Sequence, residues 1–260
     1  MARTPDGPPP PPPVQRLRLR FTKRGRLRFT SHRDFQRAFE RAVRRAAVPV
    51  AFSAGFNPHP KISYAGAAPT GAASEAEYLE IALTRVVDPE RLRLALDEAL
   101  PAGLDVVEVV EAAGGALADR LEGSHWVLEL PGVTVDDARA AVGSFLAADR
   151  VEVTRLTKNG NRTFDARAAV VRLTAGDTLP EVLLRAGAQV TPPPCAILNL
   201  VVRHTTPAVR PDDVLAALRS QALLAPPSPP RMTRLAQGPL DEGDGTVADP
   251  LTADRNAVGA

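Results

Sequence analysis

The sequence predicts an α+β fold made of two ferredoxin-like (split βαβ) sandwiches in tandem, each with an antiparallel sheet, between disordered N- and C-terminal tails. Three observations carry this expectation. Strand-like and helix-like patterns follow one another as β, α, β, β, α, β between residues 16 and 112. A second run of the same kind occupies 124–236. Both ends, the proline-rich 1–15 and the Gly, Asp, Ala and Thr-rich 237–260, lack the apolar content that repays the entropy of ordering.

Pro8 to Pro13 offer no backbone N–H and favour an extended polyproline helix. Leu17, Leu19 and Phe21 then alternate with Arg16, Arg18 and Arg20, the period of a strand with one apolar and one basic face. Lys23-Arg24-Gly25 supplies a turn, and Leu27 and Phe29 continue the alternation. Ser31, with Asp34 three residues on, signals a helix start. Along that helix Phe35, Phe39, Val43 and Ala46 share one face, and Arg33, Arg37, Arg41 and Arg44 share another. Pro49 ends it, Val50 to Ser53 reads as a short strand, and Gly55-Phe56-Asn57-Pro58-His59-Pro60 reads as a rigid loop. Glu77 to Leu83 is a strand, Pro89 to Leu100 a helix opened by its proline, and Leu104 to Val110 a strand.

In the second half, His125 to Leu130 predicts a strand, Asp136 to Ala148 a helix, and Val151 to Thr157 a strand. Asn159-Gly160 marks a hairpin turn before a strand at Phe164 to Thr174. Ala196 to Arg203 is a strand and Pro211 to Gln221 a helix, while Leu179 to Pro194 fits neither pattern.

Composition narrows function. Aromatic residues make up 4% of the chain, so the cores rest on aliphatic side chains and large aromatic stacking surfaces are not expected. Cys195 is the one cysteine, which excludes an internal disulfide and a cysteine-held zinc or iron–sulfur site. His32, His59, His125 and His204 stand at spacings that match no metal motif, so no metal site and no catalytic set is assigned. No apolar run reaches the ~20 residues that span a bilayer. Prolines stand where a signal peptide needs an apolar stretch, so a cytoplasmic protein without a membrane partner is expected. Charge is uneven: between Arg16 and Lys61 thirteen basic residues face Asp34 and Glu40, a net +11, leaving −9 for the rest of a chain whose total is +2. An anion-binding surface therefore belongs to the N-terminal part.

Three segments carry a family resemblance: Arg28-Phe29-Thr30-Ser31-His32-Arg33-Asp34-Phe35, then Phe52 through Ser63, then Gly71-Ala72-Ala73-Ser74-Glu75-Ala76-Glu77-Tyr78. Through them the chain resembles the stand-alone form of the radical SAM-linked protein family, a domain of unknown function. The resemblance covers roughly 15–220 and is strongest before residue 85. It implies a radical SAM protein as partner, with the iron–sulfur cluster, S-adenosylmethionine and cobalamin on that partner and no cofactor on this chain. Stand-alone members are encoded beside ribonuclease E/G-type proteins, which turns the expectation toward RNA.

The leading expectation is an accessory protein that binds RNA or presents a substrate through Arg18, Arg20, Lys23, Arg24, Arg26, Arg28, Arg33, Arg37, Arg41 and Arg44, with His32 and Lys61 as further anion contacts. The motif residues Gly55, Phe56, Asn57, Pro58, His59, Pro60, Ser63, Ser74, Glu75 and Glu77 form a second candidate group. His32, Arg33 and the loop could converge on one phosphate at the helix start. Glu75 is expected to face solvent or pair with an arginine. An alternative is a module that docks a radical SAM enzyme on an apolar open sheet face and the Gly55 to Lys61 loop. A third is an enzyme acting on RNA through Asn57, His59 and Glu77, although no nucleophile motif accompanies them.

Overall fold

The computed structural model describes residues 10–157, 160–189 and 191–257. The chain divides into two compact units, Leu121–Ala248 and the remainder, so the segment from Asp249 on belongs with the first unit.

The first unit contains β1 (Gln15–Lys23), α1 (His32–Arg45), β2 (Ile62–Ala65), β3 (Ala73–Leu83), α2 (Pro89–Ala99) and β4 (Val106–Glu111). Its strands run in the order β4, β1, β3, β2, antiparallel throughout, which is the order of a split βαβ sandwich. Leu17, Leu19 and Phe21 of β1 and Leu79, Ile81 and Leu83 of β3 pack against Phe35, Phe39 and Val43 of α1 and Leu92 and Leu96 of α2. Because strand side chains alternate, Arg16, Arg18 and Arg20 occupy the face away from the helices. The helix starts follow the sequence: Ser31 Oγ accepts the Asp34 N–H at 3.2 Å, and Asp88 Oδ1 accepts the Arg91 N–H at 2.8 Å.

Two local expectations fail here. Gly25 to Phe29 forms a 3-10 turn rather than continued strand: Gly25 takes a φ of +55°, and the Arg28 carbonyl accepts the Gly71 N–H at 2.8 Å. Val50 to Ser53 forms isolated bridges, Val50 to Leu83 and Phe52 to Pro60, rather than a strand, and the second strand of the sandwich is instead Ile62–Ala65.

The second unit contains β5 (Gly123–Pro131), α3 (Val135–Ala147), β6 (Glu152–Thr157), β7 (Gly160–Asp165), β8 (Val170–Gly176), α4 (Glu181–Arg185), β9 (Cys195–Arg203), α5 (Pro211–Ala222) and β10 (Arg231–Gly238), followed by the short pair β11 (Leu240–Asp241) and β12 (Thr246–Val247). Its main sheet runs β10, β5, β9, β8, again antiparallel. With the β6–β7 hairpin set aside, this repeats the strand order of the first unit. The strand expected at Phe164 to Thr174 is interrupted by a 3-10 turn at Arg167–Ala169, so its first part closes the hairpin with β6 and its second part joins the main sheet. Asn159 of the expected turn lies outside the described residues. The undecided Leu179 to Pro194 stretch carries α4, where Leu179 and Leu183 pack on Val127 and Ile197.

The expected C-terminal tail is ordered as far as Ala257. After β12 comes α6 (Thr252–Ala257), whose Leu251 approach and Asp254 are fully buried. A segment of low apolar content is held because Asp254 reaches buried cations of the first unit. Of the expected N-terminal tail, 1–9 lie outside the described residues, and Gln15 already begins β1.

A candidate nucleic-acid interface

The N-terminal cations look alike in sequence, but the fold sorts them into two groups. In the first, the charge is spent internally. Arg18 is 1% exposed and donates Nε to Glu80 at 3.0 Å and Nη1 to Asp254 at 2.8 Å. Its Nη2 donates to the carbonyls of Gly114 and Gly115. Asp254 also accepts from Arg120 Nη1 and from the Ala113 N–H, both at 2.8 Å. Lys23 is buried, with Nζ donating to the carbonyls of Ala68 at 3.0 Å and Pro69 at 3.1 Å. Arg24 pairs with Glu75 and, at 3.1 Å, with Asp105; the hydrogen bonds it donates to Glu75 are the largest cause of its raised pKa. Arg18, Lys23 and Arg24 therefore hold the fold together and leave the predicted footprint. Arg20 is half-buried on the same sheet face, opposite Tyr78 and Glu108.

In the second group, the charge faces solvent. Arg33, Arg37, Arg41, Arg44 and Arg45 of α1 are all exposed, Arg45 also donating Nη1 to the Ala99 carbonyl at 3.2 Å, as is Arg26 on the 3-10 turn that precedes the helix. Among the described residues the one ion pair these six arginines make is Arg37 to Asp34 at 3.9 Å, a separation at which little is gained in water. Arg33, Arg37 and Arg41 repeat at intervals of four, where like charges destabilise a helix by ~0.2–0.5 kcal/mol per pair. Arg33 further lies in the first turn, where the helix dipole disfavours a cation. The amphipathic burial of Phe35, Phe39, Ala42 and Val43 offsets this cost. Arg28 is half-buried with its guanidinium carbon 4.6 Å from the Phe29 ring centroid, and Lys61 is exposed.

His32 stands beside β2, its ring 5.4 Å from that of Tyr64, and hydrogen-bonds Gln36 at 3.0 Å. The Tyr64 hydroxyl is buried without a partner among the described residues, and burial, reinforced by the charge of Glu40, pushes its pKa up. The Gly55 to Pro60 loop is closed at its base: Ser53 N–H donates to the His59 carbonyl at 2.8 Å, and His59 N–H donates to Ser53 Oγ at 3.0 Å. Phe56, Asn57, Pro58 and His59 are exposed above that closure. Among the described residues no hydrogen bond or ion pair joins Asn57, His59 or Lys61 to α1, and all three are exposed, as are His32 and Arg33. Ser74 and Glu77 are buried within β3, where Glu77 accepts the Ala68 N–H and Ser74 Oγ accepts the Ala76 N–H. Glu77 is buried, whereas Asn57 and His59 are exposed. Glu75 pairs with an arginine.

The face of the first unit's sheet turned away from its helices is not apolar, as docking there had required. Arg16, Arg18, Ser63 and Glu80 line a cavity of about 570 Å³ on it, closed on another side by Gly114–Ala118. That role of Ser63 could have been anticipated only by pairing it with Glu80 across β2 and β3. Asp254 was missed altogether, having no signal beyond its charge.

Among the described residues no group of three His, Cys, Asp or Glu side chains could hold a metal ion, and no helix is long and apolar enough to cross a membrane. No curated protein matches the chain. The model of one family, described as "Uncharacterized protein conserved in bacteria (DUF2344)", matches residues 16–211, and the chain belongs to that family.

Proposed function

We propose that the protein is an RNA-binding accessory factor that grips the phosphate backbone with the outward face of α1. The observation that carries this reading is the row Arg33, Arg37, Arg41, Arg44 and Arg45, exposed and almost without acidic partners, on a helix whose other face is fully committed to the core. A row of uncompensated charge destabilises the free protein, and a polyanion both relieves the repulsion and releases its own counterions. The internal pairing of Arg18, Lys23 and Arg24 supports the choice of α1 rather than β1 as the binding element. The direction toward RNA comes from the family resemblance, as does a radical SAM enzyme as the partner that this factor serves.

The test is binding of purified protein to total cellular RNA at low salt, wild type against a variant with Arg33, Arg37 and Arg41 all changed to Glu. Binding by wild type that the variant lacks supports the proposal. Wild type that binds no RNA overturns it. The partnership is tested separately, by co-purification with a radical SAM enzyme that survives nuclease treatment; no complex under these conditions removes the partner.

A further inference from the structure

Resting on that RNA-binding reading, we infer that the site takes single-stranded RNA and stacks unpaired bases on Phe29 and Phe56. The chain holds eight phenylalanines. Phe21, Phe35, Phe39, Phe145 and Phe164 are buried, as a chain poor in aromatics would use them. The other three are Phe29, Phe52 and Phe56, exposed by 59%, 42% and 66%. Single exposed apolar residues are ordinary. Here every exposed phenylalanine falls in the most basic part of the chain, and the three bracket α1 in sequence. No large aromatic surface is needed for this: the rings stand singly on a turn and a loop, not on the sheet.

Both main platforms are held before any ligand arrives. Phe29 ends the 3-10 turn that the Arg28 carbonyl ties to Gly71 N–H at 2.8 Å, and Thr30 N–H closes the turn on the Leu27 carbonyl at 2.9 Å. The Arg28 guanidinium covers one face of the Phe29 ring, within the ~6 Å of a cation–π contact, so a base can stack on the other. Phe56 follows Gly55, whose φ of +129° turns the chain at the loop tip, above the closure between Ser53 and His59. Exposed rings in a strongly basic segment, one of them beside an arginine, are the combination that recognises single strands, since every base offers a face for stacking. In an A-form duplex those faces are already stacked within the helix, and only phosphates and sugars remain.

The experiment compares wild-type affinity, at one salt concentration, for a labelled single-stranded oligoadenylate, an abasic strand of equal phosphate count and a duplex of equal length. Stacking predicts that the base-bearing strand binds tightest. It also predicts that Phe29→Ala and Phe56→Ala each weaken it about five- to tenfold while leaving the abasic strand unaffected. Because both rings are exposed, the variants should unfold at the wild-type urea midpoint. Equal affinity for strand, abasic strand and duplex overturns the stacking inference and leaves the phosphate grip intact. Binding to none of the three at low salt overturns that grip, and this inference with it, and points the exposed rings toward a protein partner.

Discussion

Changing Asp254 to Ala should destabilise the first unit far more than its place near the end of the chain suggests. The carboxylate is fully buried and answers three groups at once: Arg18 at 2.8 Å, Arg120 at 2.8 Å and the Ala113 N–H at 2.8 Å. Without it, Arg18, itself 1% exposed, keeps Glu80 and two carbonyls but loses its buried counter-charge. Removing one partner of a buried pair costs about 3–5 kcal/mol. The cost has a ceiling: once it exceeds the energy that docks α6, the helix detaches and water reaches Arg18. Two readings follow the two regimes. With a urea slope of about 2–3 kcal/mol/M, an undiminished penalty lowers the unfolding midpoint by about 1–2.5 M. Detachment instead appears as rapid tryptic cleavage at Arg255, which in the wild type is held by Glu108 at 2.7 Å and Asp249 at 2.9 Å. Asp254→Asn, which keeps the shape and loses the charge, should fall between. A variant that keeps both the wild-type midpoint and wild-type resistance to trypsin would refute the reasoning.

Two further predictions concern the second unit. Gly132 has a φ of +81°, and a Cβ there would lie 2.3 Å from Cγ of Pro227, a rigid ring that cannot turn aside; Gly132→Ala should cost about 2–3 kcal/mol in urea unfolding, and an unchanged midpoint would count against it. Burial, foremost, holds the pKa of both His125 and His204 below the ordinary 6.5, with Arg172 and Arg234 respectively adding to the effect. Folding therefore favours the neutral rings, the unfolded chain binds more protons, and stability present above about pH 6.5 is lost as pH falls through that value toward the folded pKa. The urea midpoint should drop between about pH 7.5 and about pH 5.5, and the double variant His125→Gln, His204→Gln should flatten that dependence; an equal drop in the variant would assign it to other groups.

Much of the architecture could be read from sequence where local signals and tertiary packing agree. α1 announced itself through the Ser31 cap, the spacing of Phe35, Phe39 and Val43, and Pro49, and each of these is set by residues within a few turns of one another. Other elements lacked such agreement. β10 carries half-buried side chains on both faces, so no period-two signal marks it, and α6 is too short for a helical period to register. The site was legible in part for the same reason. Arg18 and Arg37 are indistinguishable locally, and what separates them is Asp254, whose contact with Arg18 spans 236 positions of chain. Phe29 fitted an apolar alternation, yet it is exposed, because pattern reports a side chain's spacing and not whether anything covers it. Ser74 and Glu77, singled out as functional polar residues, are buried in β3.

The central claim, that α1 grips phosphates, is tested most directly by the salt dependence of binding to a single-stranded RNA. The five exposed arginines of α1, each neutralising one phosphate, predict that log affinity falls against log salt with a slope of about −3.5, and that replacing Arg33, Arg37 and Arg41 with Gln brings the slope to about −1.4. A slope that the triple replacement leaves unchanged would place the contact elsewhere on the protein and contradict the account.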